Sequence, residues 1–259
     1  MLDDIVATKQ QEVENAKAEL PLEDLRARLA SHLTERNFQK AIHQPGKLSL
    51  IAELKRKSPS KGMLCERFDP VSLAQQLQEA GAAALSVLTD EVYFGGHLDF
   101  LRDAKQFTEL PVLRKDFIVD PYQVYEAAFY EADAVLLIVR ILTEEELTLC
   151  MQAADTLGLE PLVEVHSELE LKVALRVGAH VIGINHRDLR TFQINASLTE
   201  QLLPQVPAGK VIVSESGIQK PEDVKRMQQL GVHAVLIGET LMTAPDAAAK
   251  VRELFRGTW

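Results

Sequence analysis

Five charged residues of this 259-residue chain stand at matching places, each at or just past the end of a short apolar run. Glu53 and Lys55 end LSLIAEL (from residue 48), Lys115 ends PVLRKD (from 111), Glu164 ends PLVEV (from 161) and Glu215 ends KVIVSES (from 210). Side chains on one face of a strand recur every second residue. Glu53 and Lys55 therefore share a face with Ile51, Lys115 with Leu113, Glu164 with Leu162 and Glu215 with Val213. One such charge alone reads as a solvated loop residue; five in phase with apolar residues describe a packed interior under a charged mouth. Burying charges is costly unless they pair, and mixed ammonium and carboxylate groups in a cleft move one another's pKa values into a useful range. General acid and base chemistry on a neutral or anionic small molecule suits such a set.

Other segments suit an anion. SESGI (214–218) and LIGETLM (236–242) bring Gly217 and Gly238 to two successive run ends, where backbone N–H groups can approach a phosphate. The loop KRKSPSKG (55–62) is basic and rich in Gly, Pro and Ser, and is expected to close over substrate. Phe94 in VYFGG and Phe117 in KDFIV can grip an aromatic ring or simply cap the core. The seven histidines show no metal-ligand spacing, and His166, His180 and His186 read as incidental. Cys65 and Cys150 are expected to be free thiols in a reducing compartment, Cys150 in the core.

The elements that must position these residues follow one grammar from Leu48 onward. Eight short apolar runs, beginning at residues 48, 83, 111, 134, 161, 180, 210 and 234, alternate with helical segments beginning at 70, 121, 143, 167 and 221 among others. Pro70, Pro121 and Pro221, with Thr143 and Ser167, are credible helix starts. Four junctions repeat: EAGAAALSV, YEADAVLLI, RVGAHVIGI and QLGVHAVLI, three of them with Gly at 81, 178 and 231 for a left-handed helix exit. Strands alternating with helices imply a parallel sheet, and eight units imply an α/β fold of the (β/α)8 TIM-barrel type, whose active sites sit at the C-terminal strand ends. A doubly wound open sheet is the rival, weakened because no G-x-G-x-x-G follows the first run. Residues 1–47 form a helical extension, with helices over Met1–Lys17, Pro21–Leu33 and about Thr34–Gln44, and 48–259 the barrel of the same single domain. These helices either plug one barrel end or shape the active-site mouth.

Composition narrows the partners. Lys plus Arg total 28 against 38 Asp plus Glu, a net charge of −10, which disfavours nucleic acid and anionic membranes. The longest apolar run, AVLLIV from Ala134, is too short to span a bilayer, and the acidic amphipathic N-terminus is unlike a secretory signal. A cytoplasmic monomer acting on a phosphorylated small molecule is expected.

IAELKRKSPSKG (51–62), LRKDFIVDPYQVYEA (113–127), LVEVH (162–166), INHRDL (184–189), VSESGI (213–218) and IGETLM (237–242) together resemble indole-3-glycerol phosphate synthase of tryptophan biosynthesis, over nearly the whole chain. The resemblance implies cyclisation of 1-(2-carboxyphenylamino)-1-deoxyribulose 5-phosphate with loss of carbon dioxide and water, without metal or organic cofactor. It implies Lys115 as general acid on the ribulose carbonyl and Glu164, Glu53 and Lys55 at the other acid and base positions. Asn185, Glu215 and Ser216 would orient sugar hydroxyls and catalytic charges, and Ser58 and Arg187 would lie near substrate. Gly217, Gly238 and Glu239 would hold phosphate, and Phe94 and Phe117 the aromatic ring. Glu239 stands where many members have Ser, and its side chain is expected to turn outward; His186 stands where Asn is common. Another phosphate-binding barrel enzyme, an isomerase or a Schiff-base aldolase using Lys115 or Lys55, is the nearest alternative. A catalytically silent, metabolite-binding barrel is a further one.

Overall fold

The structure, a computed structural model, describes residues 1–29 and 36–259. Eight strands form the sheet: β1 (Ser49–Leu54), β2 (Ala84–Leu88), β3 (Val112–Lys115), β4 (Ala134–Ile138), β5 (Glu160–Val165), β6 (Val181–Asn185), β7 (Val211–Glu215) and β8 (Ala234–Ile237). Each pairs in parallel with its sequence neighbours, and β8 pairs with β1, so the sheet closes into a barrel. The eight strands are the eight apolar runs. Ahead of the barrel lie α1 (Leu2–Glu19), α2 (Leu22–Leu29) and α3 (Phe38–Ile42). The strands β1 to β7 are followed in turn by α4 (Pro70–Glu79), α5 (Asp99–Phe107), α6 (Pro121–Phe129), α7 (Glu144–Leu157), α8 (Glu168–Arg176), α9 (Leu198–Leu202) and α10 (Pro221–Gln229). After β8 come α11 (Glu239–Met242) and α12 (Ala247–Leu254).

Local chemistry accounts for these boundaries. Pro70, Pro121 and Pro221 occupy first helical positions, where the missing N–H costs nothing. At α7 the Thr143 hydroxyl accepts from the Glu146 N–H while the Glu146 carboxylate accepts from the Thr143 N–H, and Ser167 caps α8 through the Glu170 N–H. Gly81, Gly178 and Gly231 leave their helices with φ of +99°, +85° and +76°. In the fourth junction Glu131 adopts +66° in the same role, so the repeat is kept by geometry where glycine is missing.

Alternation along each strand divides the core in two. Ile51, Leu113, Leu162 and Val213 point inward and pack with Leu136, Val181 and Leu236. Their outward neighbours, such as Leu50, Val163, Ile182 and Val235, meet the helix ring. Each fully buried aliphatic side chain is worth about 1.5–3 kcal/mol relative to exposure, which fixes strand register and hence the height at which each strand-end charge sits.

The N-terminal helices divide the two roles that the sequence left open. Phe38 and Ile42 of α3 join the inner core, Arg36 donates to the carbonyls of Lys105 and Leu110 just before β3, and His43 packs edge-on against His233 just before β8. That end is plugged. α1 instead lies beside the opposite end, where Thr8 bonds Tyr93 and Lys9 reaches Asp90 and Asp116, all beyond the C-terminal ends of β2 and β3. Residues 30–35, the end of the second expected helix and the start of the third, lie outside the described residues. Among the described residues no helix is long and apolar enough to cross a membrane.

Candidate active site

At the C-terminal strand ends opens a cleft of about 1010 Å³ of empty space, its mouth included. All fourteen residues singled out from the sequence line it: Glu53, Lys55, Ser58, Phe94, Lys115, Phe117, Glu164, Asn185, Arg187, Glu215, Ser216, Gly217, Gly238 and Glu239. The strands that supply the charges alternate with strands that supply room. A Cβ at Gly183 on β6 would overlap Glu215 Oε1, and one at Gly238 after β8 would overlap Glu53 Oε1. These two glycines let buried carboxylates lie flat against the next strand. For Gly238 this clearance is a direct reason for glycine, beyond the phosphate contact expected of it.

Glu53 forms an ion pair with Lys55, two residues on along the same face. Across the barrel, Lys115 Nζ lies 3.3 Å from Glu164 Oε2, and His166 Nε2 lies 3.2 Å from Glu164 Oε1. Burial works against the Lys115 ammonium, but Glu164, Glu215 and Glu53 together outweigh it and raise its pKa above the ordinary lysine value. Burial would likewise protonate Glu164, yet Lys115 and His166 hold it well below the carboxylate range. Glu215 goes the other way. Burial, then the negative charge of Glu164, push its pKa well above the ordinary value, which favours its protonated form beside an ionised partner. The site thus brings an ammonium, a carboxyl biased toward its protonated form and an ionised carboxylate into one buried cluster, the combination that proton transfer to and from a bound molecule needs.

The mouth adds positioning groups. Ser216 and Gly217 take left-handed φ values of +64° and +84°, a conformation that costs a residue with a side chain, and the Thr240 hydroxyl donates to the Ile218 carbonyl at 2.6 Å to tie this turn to α11. Asn185 Oδ1 accepts from the Arg187 N–H at 3.0 Å. The Ser58 hydroxyl is buried and has no partner among the described residues. Phe94 and Phe117 face each other with centroids 5.9 Å apart. Their backbone N–H groups donate to Asp90 and Asp116, and Lys9 lies 3.1 and 3.0 Å from those carboxylates, bracing both aromatic loops from α1. Although burial opposes it, Lys9 and Arg114 lower Asp116 to about 2.

One expectation is corrected. Glu239 does not turn outward: its Oε2 lies 3.1 Å from the Arg187 guanidinium and its Oε1 2.8 Å from Lys61 Nζ, across the cleft mouth. Two cations on neighbouring loops attract the carboxylate more strongly than solvent does. His186 does face away from the cleft, bonding Thr199 at 2.7 Å, and burial lowers its pKa to about 4.

Sequence reasoning missed His166, Gly183, Lys9 and Lys61. Two of them had signals. Glu164-x-His166 repeats the Glu53-x-Lys55 spacing, a cation one step above a carboxylate on the same face, and Gly183 is a glycine inside a strand. Lys9 had none, because its partners on the barrel, Asp90 and Asp116, lie more than eighty residues away.

A family model described as indole-3-glycerol phosphate synthase matches residues 2–254 of the chain. The indole-3-glycerol phosphate synthase of Acetivibrio thermocellus is 45% identical over 255 residues, covering 98% of each protein. That of Desulforamulus reducens is 47% identical over 255 residues, covering 98% of this chain and 96% of the relative. Among solved structures, 3-hexulose-6-phosphate synthase from Salmonella typhimurium superimposes with a TM-score of 0.63 at 16% identity, covering 80% of this chain and 96% of that one. Thiamine phosphate pyrophosphorylase from Pyrococcus furiosus gives 0.62 at 18% identity, covering 82% and 96%. At such identities these two share the fold alone.

Proposed function

The chain belongs to the indole-3-glycerol phosphate synthase family, and from that premise we propose how its barrel mouth carries out the family's reaction. The activity is ring closure of 1-(2-carboxyphenylamino)-1-deoxyribulose 5-phosphate with loss of carbon dioxide and water, a carboxy-lyase step of tryptophan biosynthesis.

In our reading the Lys115 ammonium donates to the ribulose carbonyl oxygen as the aromatic ring carbon attacks. Departure of carbon dioxide returns an electron pair to the ring, and the new hydroxyl leaves as water while a base removes a proton from the adjacent methylene. Glu164, held ionised, and Glu53, paired with Lys55, are the bases within reach; Glu215, held neutral, is a second proton donor. Phe94 and Phe117 form an apolar wall for the aromatic ring, Ser58 and Asn185 orient polar groups, and Arg187 with Gly238 and the turn at Ser216 and Gly217 receives the phosphate.

The observation that carries this reading is the placement of Lys115, 3.3 Å from Glu164, together with Glu53 and Glu215 in the lining of one cleft, with the pKa of Lys115 pushed upward by these carboxylates. It also weighs against the Schiff-base alternative, because a lysine nucleophile must shed its proton and needs a lowered pKa. We further propose a cytoplasmic monomer in which extension and barrel fold as one domain. Lys9 joins α1 to the barrel by reaching Asp90 and Asp116 beyond β2 and β3, which supports one folding unit. The acidic surface supports exclusion of nucleic acid.

The test is the appearance of indole absorbance and fluorescence when purified protein meets the substrate, with Lys115→Ala alongside. Wild-type signal with at least ~10²-fold loss in the variant supports the assignment. Full activity in the variant moves the acid elsewhere, and a borohydride-trapped adduct with wild type would revive the Schiff base.

A further inference from the structure

His166 contributes nothing to the lining of the cleft, yet it is buried against the residue that matters most there. Its ring is 2% exposed and sits between two carboxylates: Nε2 is 3.2 Å from Glu164 Oε1, and Nδ1 is 3.2 Å from Glu170 Oε2 on α8. The His166 backbone N–H also donates to Glu170 Oε2 at 2.7 Å, so the ring cannot easily swing away. Nδ1 is within hydrogen-bond distance of Glu170, while Nε2 lies within ion-pair distance of Glu164 Oε1 without a hydrogen bond; a neutral imidazole would turn a lone pair toward one carboxylate, whereas the imidazolium sets positive charge against both.

The contacts continue as an alternating chain. Lys115 meets Glu164, Glu164 meets His166, His166 meets Glu170, Glu170 meets Arg140 at 2.8 Å, and Arg140 meets Asp188 at 2.6 Å. Asp188 accepts the N–H groups of Arg190 and Thr191 and so shapes the loop after β6 that also carries Arg187. Glu164 therefore has a cation on each oxygen, whereas Glu215 makes no ion pair among the described residues. Two adjacent buried carboxylates hold one proton between them most stably on the member with fewer cations.

We propose that His166 is a positioning residue, held as an imidazolium between Glu164 and Glu170, that fixes Glu164 as the ionised carboxylate of the site and leaves the shared proton on Glu215. This rests on the proposed roles of Glu164 and Lys115, and it assigns to a residue outside the cleft the choice of which carboxylate is acid and which is base. The charged groups around the ring are Glu164 from β5, which ends just before His166, Glu170 from α8 and, one step further, Lys115 from β3, Glu215 from β7, Arg140 after β4 and Asp188 after β6. Burial alone would discharge the ring, but Glu164 and Glu170 outweigh it and raise His166 to about 9.

The first experiment needs no substrate. The ring resonances of His166 in the full-length wild-type protein, assigned by their loss in His166→Gln, are followed through a pH titration by NMR. A midpoint near 9 supports the proposal; a midpoint at or below the ordinary value of 6.5 overturns it. Glu170→Gln, which leaves the cleft untouched, should move that midpoint down by at least one unit, and an unmoved midpoint counts against the proposal. Kinetics then read the consequence. His166→Gln should lower kcat about tenfold or more with KM changed less than about threefold. The acid limb of its kcat profile should move to higher pH, because Glu164 with one cation removed holds a proton more tightly. Slow turnover with an unmoved profile would make His166 merely structural and overturn the proposal. Absence of turnover in wild type would instead sink the functional reading, while the NMR titration still decides the state of His166.

Discussion

Two carboxylates of the barrel mouth occupy equivalent seats and hold opposite roles. Glu53 ends β1 against Gly238, and Glu215 ends β7 against Gly183; in each case a Cβ on the neighbouring strand would overlap the carboxylate. On the β1 side the next partner is Lys55, and the result is a closed ion pair. On the β7 side the next partner is Glu164, already claimed by Lys115 and His166, and the pKa of Glu215 is pushed upward toward its protonated form. The seat is set by backbone clearance; whether its occupant is a fixed charge or a proton store is set by the second neighbour. One architectural device, repeated around the barrel, thus yields both kinds of group that acid and base catalysis requires.

Glu164→Gln should break the contrast most severely. It leaves Lys115 and His166 as buried cations with no carboxylate between them and relieves Glu215 of the charge that holds its proton. Turnover measured by indole fluorescence is expected to fall by ~10²-fold or more, the usual scale for a lost acid or base. A loss below tenfold would place the main base on the β1 side, at Glu53.

Substituting the two glycines tests the seats themselves. Gly183→Ala and Gly238→Ala each drive a methyl group into a carboxylate, an overpacking that costs about 1–3 kcal/mol in a well-packed interior. Both should lower the melting temperature and reduce turnover about tenfold. Adding Glu215→Ala to Gly183→Ala should recover most of the lost melting temperature and none of the activity. If Gly183→Ala alone behaves as wild type, Glu215 is not confined as described.

How much of this contrast could be read beforehand depends on how far apart in sequence the partners lie. The strand-end charges were legible because period-two alternation puts Ile51 under Glu53, Leu113 under Lys115, Leu162 under Glu164 and Val213 under Glu215. Gly238 was read as a phosphate glycine, since its contact with Glu53 exists only after β8 closes on β1, and strand pairing across the closure is not a local property. His166 read as incidental because it needs Glu170 from the following helix, and that pair in turn needs Arg140 and Asp188 from two other units. An apolar face on an N-terminal helix declares that something is covered without saying which barrel end. The described helices turn out to serve both, α3 beneath and α1 beside the mouth.

The two sides should also part in their response to pH. His166 is raised from 6.5 to about 9 in the folded protein, so its stabilisation is fully present below about pH 6.5 and is lost as pH rises through about 9. A shift of that size corresponds to the order of 3 kcal/mol, or roughly 5 °C or more in melting temperature for a chain of this length. Wild type should therefore lose melting temperature between pH 6.5 and 9.5, and His166→Gln should lose distinctly less. Parallel curves for the two proteins would mean that the ring carries no stabilising charge. Lys55→Met, which cuts the β1-side pair instead, should leave this slope in place.

The smallest effect is expected at the rim, where Glu239 bridges Arg187 and Lys61 over the turn proposed to receive phosphate. A phosphate entering there must compete with a carboxylate for the same two cations. Both ion pairs are partly exposed, the Lys61 side chain by 55%, and pairs of that kind contribute ~0–1 kcal/mol each. Glu239→Ser removes the competitor and leaves a small hydroxyl, so inorganic phosphate as a competitive inhibitor should bind about two- to fivefold more tightly, with kcat nearly unchanged. Because exposed charges are screened, the gain should shrink between 0.05 and 0.5 M salt, taken as roughly the range over which the Debye length falls below the span of the mouth. Weaker phosphate binding in the variant would show instead that Glu239 holds Arg187 and Lys61 in place for the phosphate, a rim organised as the interior is, by anions that set the positions of cations.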